Sequence, residues 1–385
     1  MRAGTLRSWA EIDHSALLFN LRRIRSLIPR SCEVIGVVKA DAYGHGLFSV
    51  ARTLAGAGVR TLAVANLLEA ATAARAAPRT DILLLSPLLP DEIGEVFRRP
   101  GLIATLSNLQ EFRALEACAE RARKPLRLHL KLDTGMGRLG SFAEEGLKIL
   151  ERVRRSRWLR ITGLFSHLSS ADTNHAESVR QLRKLLDFSQ RARRKGWVVP
   201  PIHLQNSAGL LSLGSRQEFG GVRPGLSLYG IPHPLHSWRN CFGRQPLKPV
   251  LRWKTRIALI REVPAGSPIS YGRTWRTSRR CRLAVITAGY ADGISRKLSN
   301  RGEVLVRGRR CSIRGRVTMD LVVVDVSQVP SVRWGDIVTL IGRDGREEIT
   351  ALQVAEWAET NPYEVLCNIS KRVPRIPISL GTERS

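Results

Sequence analysis

Five polar or glycine-rich segments each follow a short apolar run, and each carries groups able to do chemistry: Lys39 to Gly46, Lys131 to Arg138, Ser166-His167, Gln205-Asn206-Ser207 and Arg223-Pro224-Gly225. A lysine directly behind a buried strand sits in a semi-apolar mouth, where desolvation and neighbouring cations lower its pKa and make it a usable amine nucleophile. Lys39 is therefore a Schiff-base candidate, against the plainer reading of a strand-end lysine reaching solvent. Asn206-Ser207 and Gly225-Leu226 offer a hydroxyl and free backbone N–H groups suited to an anion, and Leu226 to Tyr229 is long enough for a short helix whose N-terminus would face it. A lysine beside a phosphate cup suggests pyridoxal 5'-phosphate, with Arg223 close enough in sequence to contact the cofactor ring. Taken singly, the Asn-Ser and Arg-Pro-Gly pieces also occur in ordinary turns.

The elements that position these groups follow from hydrophobic rhythm. Leu17, Leu18, Leu21, Ile24, Leu27 and Ile28 recur at helical spacing behind Asp13, so an amphipathic helix opens the chain. Eight apolar, β-branched runs come next: Val34–Val38, Thr61–Ala65, Ile82–Leu85, Leu102–Leu106, Leu126–Leu132, Ile161–Phe165, Ile202–Leu204 and Gly221–Val222. Between them lie the helix-length segments Leu47–Ala57, Asn66–Ala77, Asn108–Ala122, Phe142–Arg155 and Ala176–Arg194. This alternation predicts a (β/α)8 TIM barrel, whose reactive groups collect at the C-terminal ends of the strands. No G-x-G-x-x-G follows the first strand, which weakens a dinucleotide-binding alternative.

Pro232, Pro234, Pro246 and Pro249 mark an interdomain connection. Beyond it Trp253–Val263, Leu283–Ala288, Val304–Val306, Leu321–Val326 and Ile337–Ile341 are strand-like, with turn signals at 307–310 and 343–346, and only Ala351–Ala358 is expected to be helical. The expected organisation is a cofactor-binding barrel over 13–235 and a mostly β domain over 246–380, with residues 1–12 a candidate strand for the latter.

Composition narrows the function classes. The chain has 385 residues, 43% hydrophobic and 25% charged, with a formal net charge of +29. The greasiest stretch, Ile82 to Leu89, contains Ser86 and Pro87 and falls short of the roughly 20 residues a membrane helix needs. Met1 to Asp13 lacks the apolar core of a secretory signal, so a cytoplasmic enzyme is expected. Six cysteines are scattered singly, which suggests neither a zinc site nor a disulfide framework. From Gly272 to Arg316 there are 13 basic residues against Asp292 and Glu303. Aromatic residues make up only 6% and no nucleic-acid motif appears, so no specific nucleic-acid partner is expected.

The segment Val37-Val38-Lys39-Ala40-Asp41-Ala42-Tyr43-Gly44-His45-Gly46 resembles the cofactor-lysine signature of alanine racemases. Further blocks resemble that family in its own order: Leu132 to Gly140, Arg223-Pro224-Gly225, Ile269 to Thr274, Gly289 to Gly293, Met319-Asp320 and Arg372 to Arg375. The resemblance runs from about Trp9 to Pro377. It implies a homodimer in which Lys39 of one subunit works with Tyr271 of the other, since racemisation needs a proton removed on one face of a planar intermediate and returned on the opposite face. It implies that Tyr43, Ser207, Gly225 and Leu226 hold the phosphate, that Arg223 faces the pyridine nitrogen, and that His167 and Arg223 belong to the network supporting the tyrosine base. By the same resemblance Arg138 and Met319 meet the substrate carboxylate, Lys131 is a candidate for carbamylation, and Tyr290, Arg296 and Arg316 line a substrate entrance where positive charge would steer carboxylates.

Departures bear on substrate choice. Many relatives place a tyrosine directly before the Arg-Val-Pro segment, where it confines the site and contacts the phosphate, but here that position is Lys371; Thr318 and Leu321 also replace the commonest Cys and Gln. The expectation is a wall that could admit serine or larger side chains. A broader amino-acid racemase and a barrel-type decarboxylase therefore remain alternatives, although the latter has no need of the Tyr271 block. A non-catalytic cofactor carrier would need only the barrel.

Overall fold

The computed structural model describes residues 5–99, 101–214, 216–231, 242 and 246–378. The prolines at 232 and 234, Cys241, residues 1–4, and the ends of the two expected domains at 232–235 and 379–380 lie outside the described residues.

Strand β1 (Ser8–Asp13) precedes the first helix, His14–Arg25, which starts where the Asp13 carboxylate accepts the N–H groups of Ser15 and Ala16 and buries Leu17, Leu21 and Ile24. Eight parallel strands follow: β2 (Glu33–Val37), β3 (Thr61–Val64), β4 (Asp81–Leu84), β5 (Leu102–Leu106), β6 (Leu126–Lys131), β7 (Leu159–Phe165), β8 (Ile202–His203) and β9 (Gly221–Val222). Their order is β8-β7-β6-β5-β4-β3-β2-β9, and the ring is nearly closed by a bridge from Ile202 to Phe219. The strands are mostly apolar because both faces are covered, the inner by facing strands and the outer by helices such as Leu67–Ala76, Leu109–Ala122, Ala143–Arg155 and His175–Arg194; β6, with Arg127, His129 and Lys131, is the most polar. Asn66, Asn108 and Asn174 cap three of these helices by accepting the N–H of Glu69, Glu111 and Glu177. The barrel and mostly-β architecture expected from the sequence is the one observed.

The second region is built on β10 (Leu251–Val263), followed by the short hairpin of β11 (Pro268–Ile269) and β12 (Trp275–Arg276), then β13 (Cys281–Ile286), β14 (Glu303–Val306), β15 (Arg309–Ser312), β16 (Val322–Asp325), β17 (Ile337–Asp344), β18 (Glu347–Ile349) and β19 (Arg375–Ile378). β10 alternates buried and part-exposed residues over its first half, as a strand covered on one face must. β1 runs antiparallel to β10, with Ser8 opposite Thr255, and parallel to β19, with Ala10 opposite Arg375, so the start of the chain is an internal strand of this sheet. Among the described residues two α-helices occur here, beside short 3-10 turns at Tyr271–Arg273 and Arg296–Leu298. Ala351–Trp357 matches the periodicity, whereas Pro362–Cys367 was not expected; Pro at its start and the Asn361 cap on Glu364 account for it. That second helix faces the barrel mouth.

Candidate active site

Lys39 begins a turn of unusual hand. Ala40, Asp41, Ala42 and Tyr43 all have φ between 53° and 55°, four successive non-glycine residues in the left-handed region, each costing roughly 1–2 kcal/mol. The surroundings over-determine the turn. Glu69 accepts the Ala40 N–H at 2.7 Å with one carboxylate oxygen and the Ala65 N–H at 2.8 Å with the other. Asp41 accepts the Leu47 N–H at 2.7 Å, His45 Nδ1 donates to the carbonyls of Ala42 and Tyr43, and Arg375 donates to the Gly44 carbonyl at 2.8 Å. Strain held this firmly belongs to sites where side-chain direction matters. Here it turns Lys39 and Tyr43 into one cavity.

Gly44 closes the turn at φ 79°, and a Cβ there would lie 2.1 Å from the Leu366 carbonyl oxygen of the helix Pro362–Cys367. Gly44→Ala is expected to cost about 3 kcal/mol of folding stability, from left-handed strain plus overpacking against backbone. Urea denaturation checks this, and a wild-type midpoint would contradict the packing described.

The cavity has a volume of about 560 Å³ and is lined by Lys39, Tyr43, Lys131, Arg138, His167, Asn206, Ser207, Arg223 and Gly225, together with Phe165, Tyr363 and Cys367. Four of these side chains are cationic and none is a carboxylate. Its floor near Ser207 suits a phosphate. The Ser207 hydroxyl already accepts the N–H groups of Gly225 at 3.0 Å and Ser227 at 3.1 Å, and its own proton is free to be donated. The Ser227 hydroxyl is buried with no partner among the described residues, and a Cβ on Gly225 would fall 2.7 Å from the Tyr43 hydroxyl, so only glycine leaves this cradle open. Asn206 caps the helix Ser207–Leu213 through the Gly209 N–H. Leu226 is buried beside it. The expected helix after Gly225 is absent: residues 226–230 form successive tight turns, with Leu228 N–H on Gly225 and both Tyr229 and Ile231 on Leu226. Gly230, at φ 69° with its Cα pressed against the Lys248 carbonyl, ends the segment before a helix can propagate.

Arg223 is the most constrained cation. It is buried, and its fork donates to His203 Nδ1 at 2.5 Å, to the His203 carbonyl at 2.6 Å and to the Ser166 carbonyl at 2.6 Å, with His167 Nδ1 at 3.4 Å. Because His203 accepts on Nδ1, its Nε2 carries the proton toward His129 Nδ1 at 2.9 Å. Burial, and then the Arg223 charge, hold His129, His167 and His203 below the usual histidine range, so these rings are neutral acceptors at pH 7. Burial also lowers Lys39, with Arg138 the next cause.

Lys131, 5% exposed, stands with its ammonium 4.4 Å from the centre of the Phe165 ring, and burial followed by Arg223 pushes it down to about 7. The unfolded chain would hold this proton up to about pH 10.5, while the folded one releases it near 7, so stability rises with pH through that window. Lys131→Met is expected to flatten a rise of the order of a few kcal/mol, measured as thermal stability of the cofactor-free protein from pH 6.5 to 9.

The structure does not bring Tyr271 to Lys39 within one chain. Tyr271 is 73% exposed and lines a separate hollow of about 380 Å³ with Tyr290, Arg296, Val317 and Thr318. Arg316 packs on Gly272, and the Ser270 hydroxyl donates to the Arg316 carbonyl, which fixes the Tyr271 turn. Met319 is exposed on the loop held by Ala291 N–H, and Thr318 donates to the Leu321 carbonyl. Lys371 lies in yet another hollow, with Asp320, Leu321 and Arg372. It does not reach the Lys39 cavity, whose aromatic wall is Tyr363, ring centre 5.7 Å from that of Tyr43. The expected widening of the site by Lys371 is thus corrected: the tyrosine wall comes from the helix Pro362–Cys367. Sequence reasoning passed over Glu69, whose only signal was the Asn-x-x-Glu start of its helix, over Phe165, which ends an apolar strand run, over Cys367, one of the singly scattered cysteines, and over Tyr363.

Residues 12–233 match the family model for the alanine racemase N-terminal domain and residues 250–377 that for the C-terminal domain. The alanine racemase of Methylacidiphilum infernorum is 41% identical over 370 residues, covering 96% of this chain and 92% of that one. That of Halothermothrix orenii is 40% identical, covering 96% of each. Among solved structures, the Bacillus anthracis alanine racemase with bound L-Ala-P has a TM-score of 0.89 at 34% identity, covering 98% of this chain and 96% of that one. The Bartonella henselae alanine racemase with covalently bound pyridoxal phosphate has a TM-score of 0.85 at 30% identity, covering 97% and 100%. With both domains matched and full-length relatives at this identity, the chain belongs to the alanine racemase family.

Proposed function

We propose that the protein interconverts L-alanine and D-alanine with pyridoxal 5'-phosphate, as a homodimer with two shared sites, and that it supplies D-alanine for peptidoglycan in the cytoplasm. The observation that carries this reading is the single cavity joining the Lys39 amine, four cations without a carboxylate, and a glycine cradle with free hydroxyls. Such a lining fits a phosphorylated aldehyde together with an amino-acid carboxylate. In this reading 13–235 is the cofactor domain and 246–380 the domain that completes a neighbour's site, with the first strand joined to the latter.

Tyr43, Ser207, Gly225 and Leu226 would hold the phosphate, and Asn206 would keep the helix start behind it. Arg223, fixed by the strand-end carbonyls, would donate to the pyridine nitrogen. When bound, the cofactor would supply a sink for the electron pair left as the Cα proton departs. Lys39 would take or return that proton on one face, and Tyr271 of a second copy would do so on the other. His167 supports the tyrosine base through the Arg223 network, Arg138 and Met319 orient the carboxylate, and Tyr290, Arg296 and Arg316 flank the approach. Exposed Tyr271, Tyr290 and Met319 are the kind of apolar surface that a second subunit would cover.

The test is D-alanine appearing from L-alanine with added cofactor, run beside L-serine. Rapid D-alanine with little D-serine is expected; carbon dioxide alone would sink racemisation. Among the described residues no helix is long and apolar enough to cross a membrane.

A carbamate on Lys131 forms when its neutral amine attacks carbon dioxide and releases a proton, and a pKa near 7 leaves much of the amine neutral at working pH. The product would be an anion between Arg138 and Arg223, able to take a bidentate pair from Arg138. Native mass spectrometry is expected to show one added carbon dioxide per chain in bicarbonate, absent in Lys131→Met. Equal masses with and without bicarbonate would remove the modification.

A further inference from the structure

The basic surplus has a location. In the barrel, helix C-termini and strand starts share the end opposite the cofactor cavity. Glutamates occupy the first turns of the helices at the cavity end, Glu69, Glu111, Glu145 and Glu177 among them, while arginines crowd the last turns at the other. One cation per helix end is explained by the helix dipole, worth roughly 0.3–1 kcal/mol. The adjacent helices Ala143–Arg155 and His175–Arg194 exceed this, ending in Arg152, Arg154 and Arg155 and in Arg191, Arg193 and Arg194, with Arg157 and Lys195 just beyond.

Among the described residues two of these cations have a carboxylate: Arg155 pairs with Glu151 at 2.8 Å and Arg191 with Glu144 at 2.5 Å. Arg152, Arg154, Arg157, Arg193, Arg194 and Lys195 are exposed and form no ion pair among the described residues. The aromatic residues between them hold the charges together. Arg154 and Lys195 converge on the same Trp197 ring, at 5.6 Å and 5.5 Å, and Arg157 stacks on Trp158 at 5.1 Å. Two like charges on one indole repel, and a bound anion relieves that cost.

We propose that this face, opposite the cofactor cavity, binds the phosphate backbone of double-stranded nucleic acid without sequence preference. Guanidinium forks dominate the patch, and they match phosphate oxygens in pairs. The indoles are already covered by cations, and Val198 is the one large hydrophobic of the 195–200 segment that stands free, so the face offers little to insert into a lipid surface.

Fluorescence anisotropy of the holoenzyme with a labelled 20-base-pair DNA duplex tests the proposal. Roughly six phosphate contacts predict a loss of about 10³-fold in affinity from 50 to 200 mM KCl. The quadruple variant Arg154→Gln, Arg157→Gln, Arg193→Gln, Arg194→Gln should bind at least about tenfold more weakly, with a log–log salt slope shallower by about 3 to 4. Its turnover of alanine should be unchanged, which also shows that it folds. A control removing four exposed arginines of the β region, Arg261→Gln, Arg276→Gln, Arg279→Gln, Arg280→Gln, should keep wild-type affinity. Equal losses in both variants would reduce the effect to net charge and overturn the assignment. Capture by phosphatidylserine vesicles without duplex binding would assign the face to membranes and overturn it equally.

Discussion

Lys39→Ala is expected to lower D-alanine formation by about 10⁴-fold or more, since in the proposed mechanism it removes both the covalent anchor and one of two proton carriers. The cavity contains a second amine that could serve: burial and Arg223 bring Lys131 down to about 7, and burial lowers Lys39 as well. Position argues the other way. Lys39 shares its turn with Tyr43, whose hydroxyl sits at the Gly225 cradle, so one rigid piece of backbone spans both the anion site and the amine. Lys131 is pinned over the Phe165 ring, with Arg223 5.2 Å from the centre of the same ring. Borohydride reduction of the loaded enzyme followed by peptide mapping separates the two. Label is expected on the peptide carrying Lys39 and none on that carrying Lys131. Label on Lys131, or more than about one hundredth of wild-type turnover in Lys39→Ala, would reverse the assignment.

What makes Lys39 reactive was only partly legible in the chain. All eight barrel strands stood out because a strand covered on both faces is a largely apolar run, and the groups behind β2, β6, β7, β8 and β9 could be picked out as the C-terminal rim. The left-handed turn at 40–43 could not, because alanine, aspartate and tyrosine prefer the right-handed region; tertiary hydrogen bonds from Glu69 and Arg375 override that preference. β1 is hard to see for a similar reason: its partners β10 and β19 lie more than 200 residues away, and a six-residue strand carries little pattern alone. Tyr363 carries no signal of its own in the sequence. Its helix has only six residues, and only packing against Gly44 reveals that it closes the Lys39 cavity.

Tyr271 presents the opposite case, a residue conspicuous in sequence and isolated in the folded chain. Its ring is mostly exposed and shares a hollow with Arg296 and Thr318, away from Lys39. Two-sided proton transfer requires both groups at one carbon, so in the proposed mechanism a second copy would bring its Tyr271 to the first copy's cavity. The consequence can be counted. Lys39→Ala and Tyr271→Phe homodimers should each be nearly inactive, because every site lacks one proton carrier. In a heterodimer of the two, one site combines both lesions and the other combines both native residues. Random reassociation of an equal mixture makes half the dimers mixed, with one working site in each, so activity should recover to roughly a quarter of wild type. Refolding the mixture from denaturant and assaying D-alanine measures this. Recovery near zero, with mixed dimers verified by mass, would mean that each chain builds its own site, and the approach of Tyr271 to Lys39 would have to come from movement within one subunit.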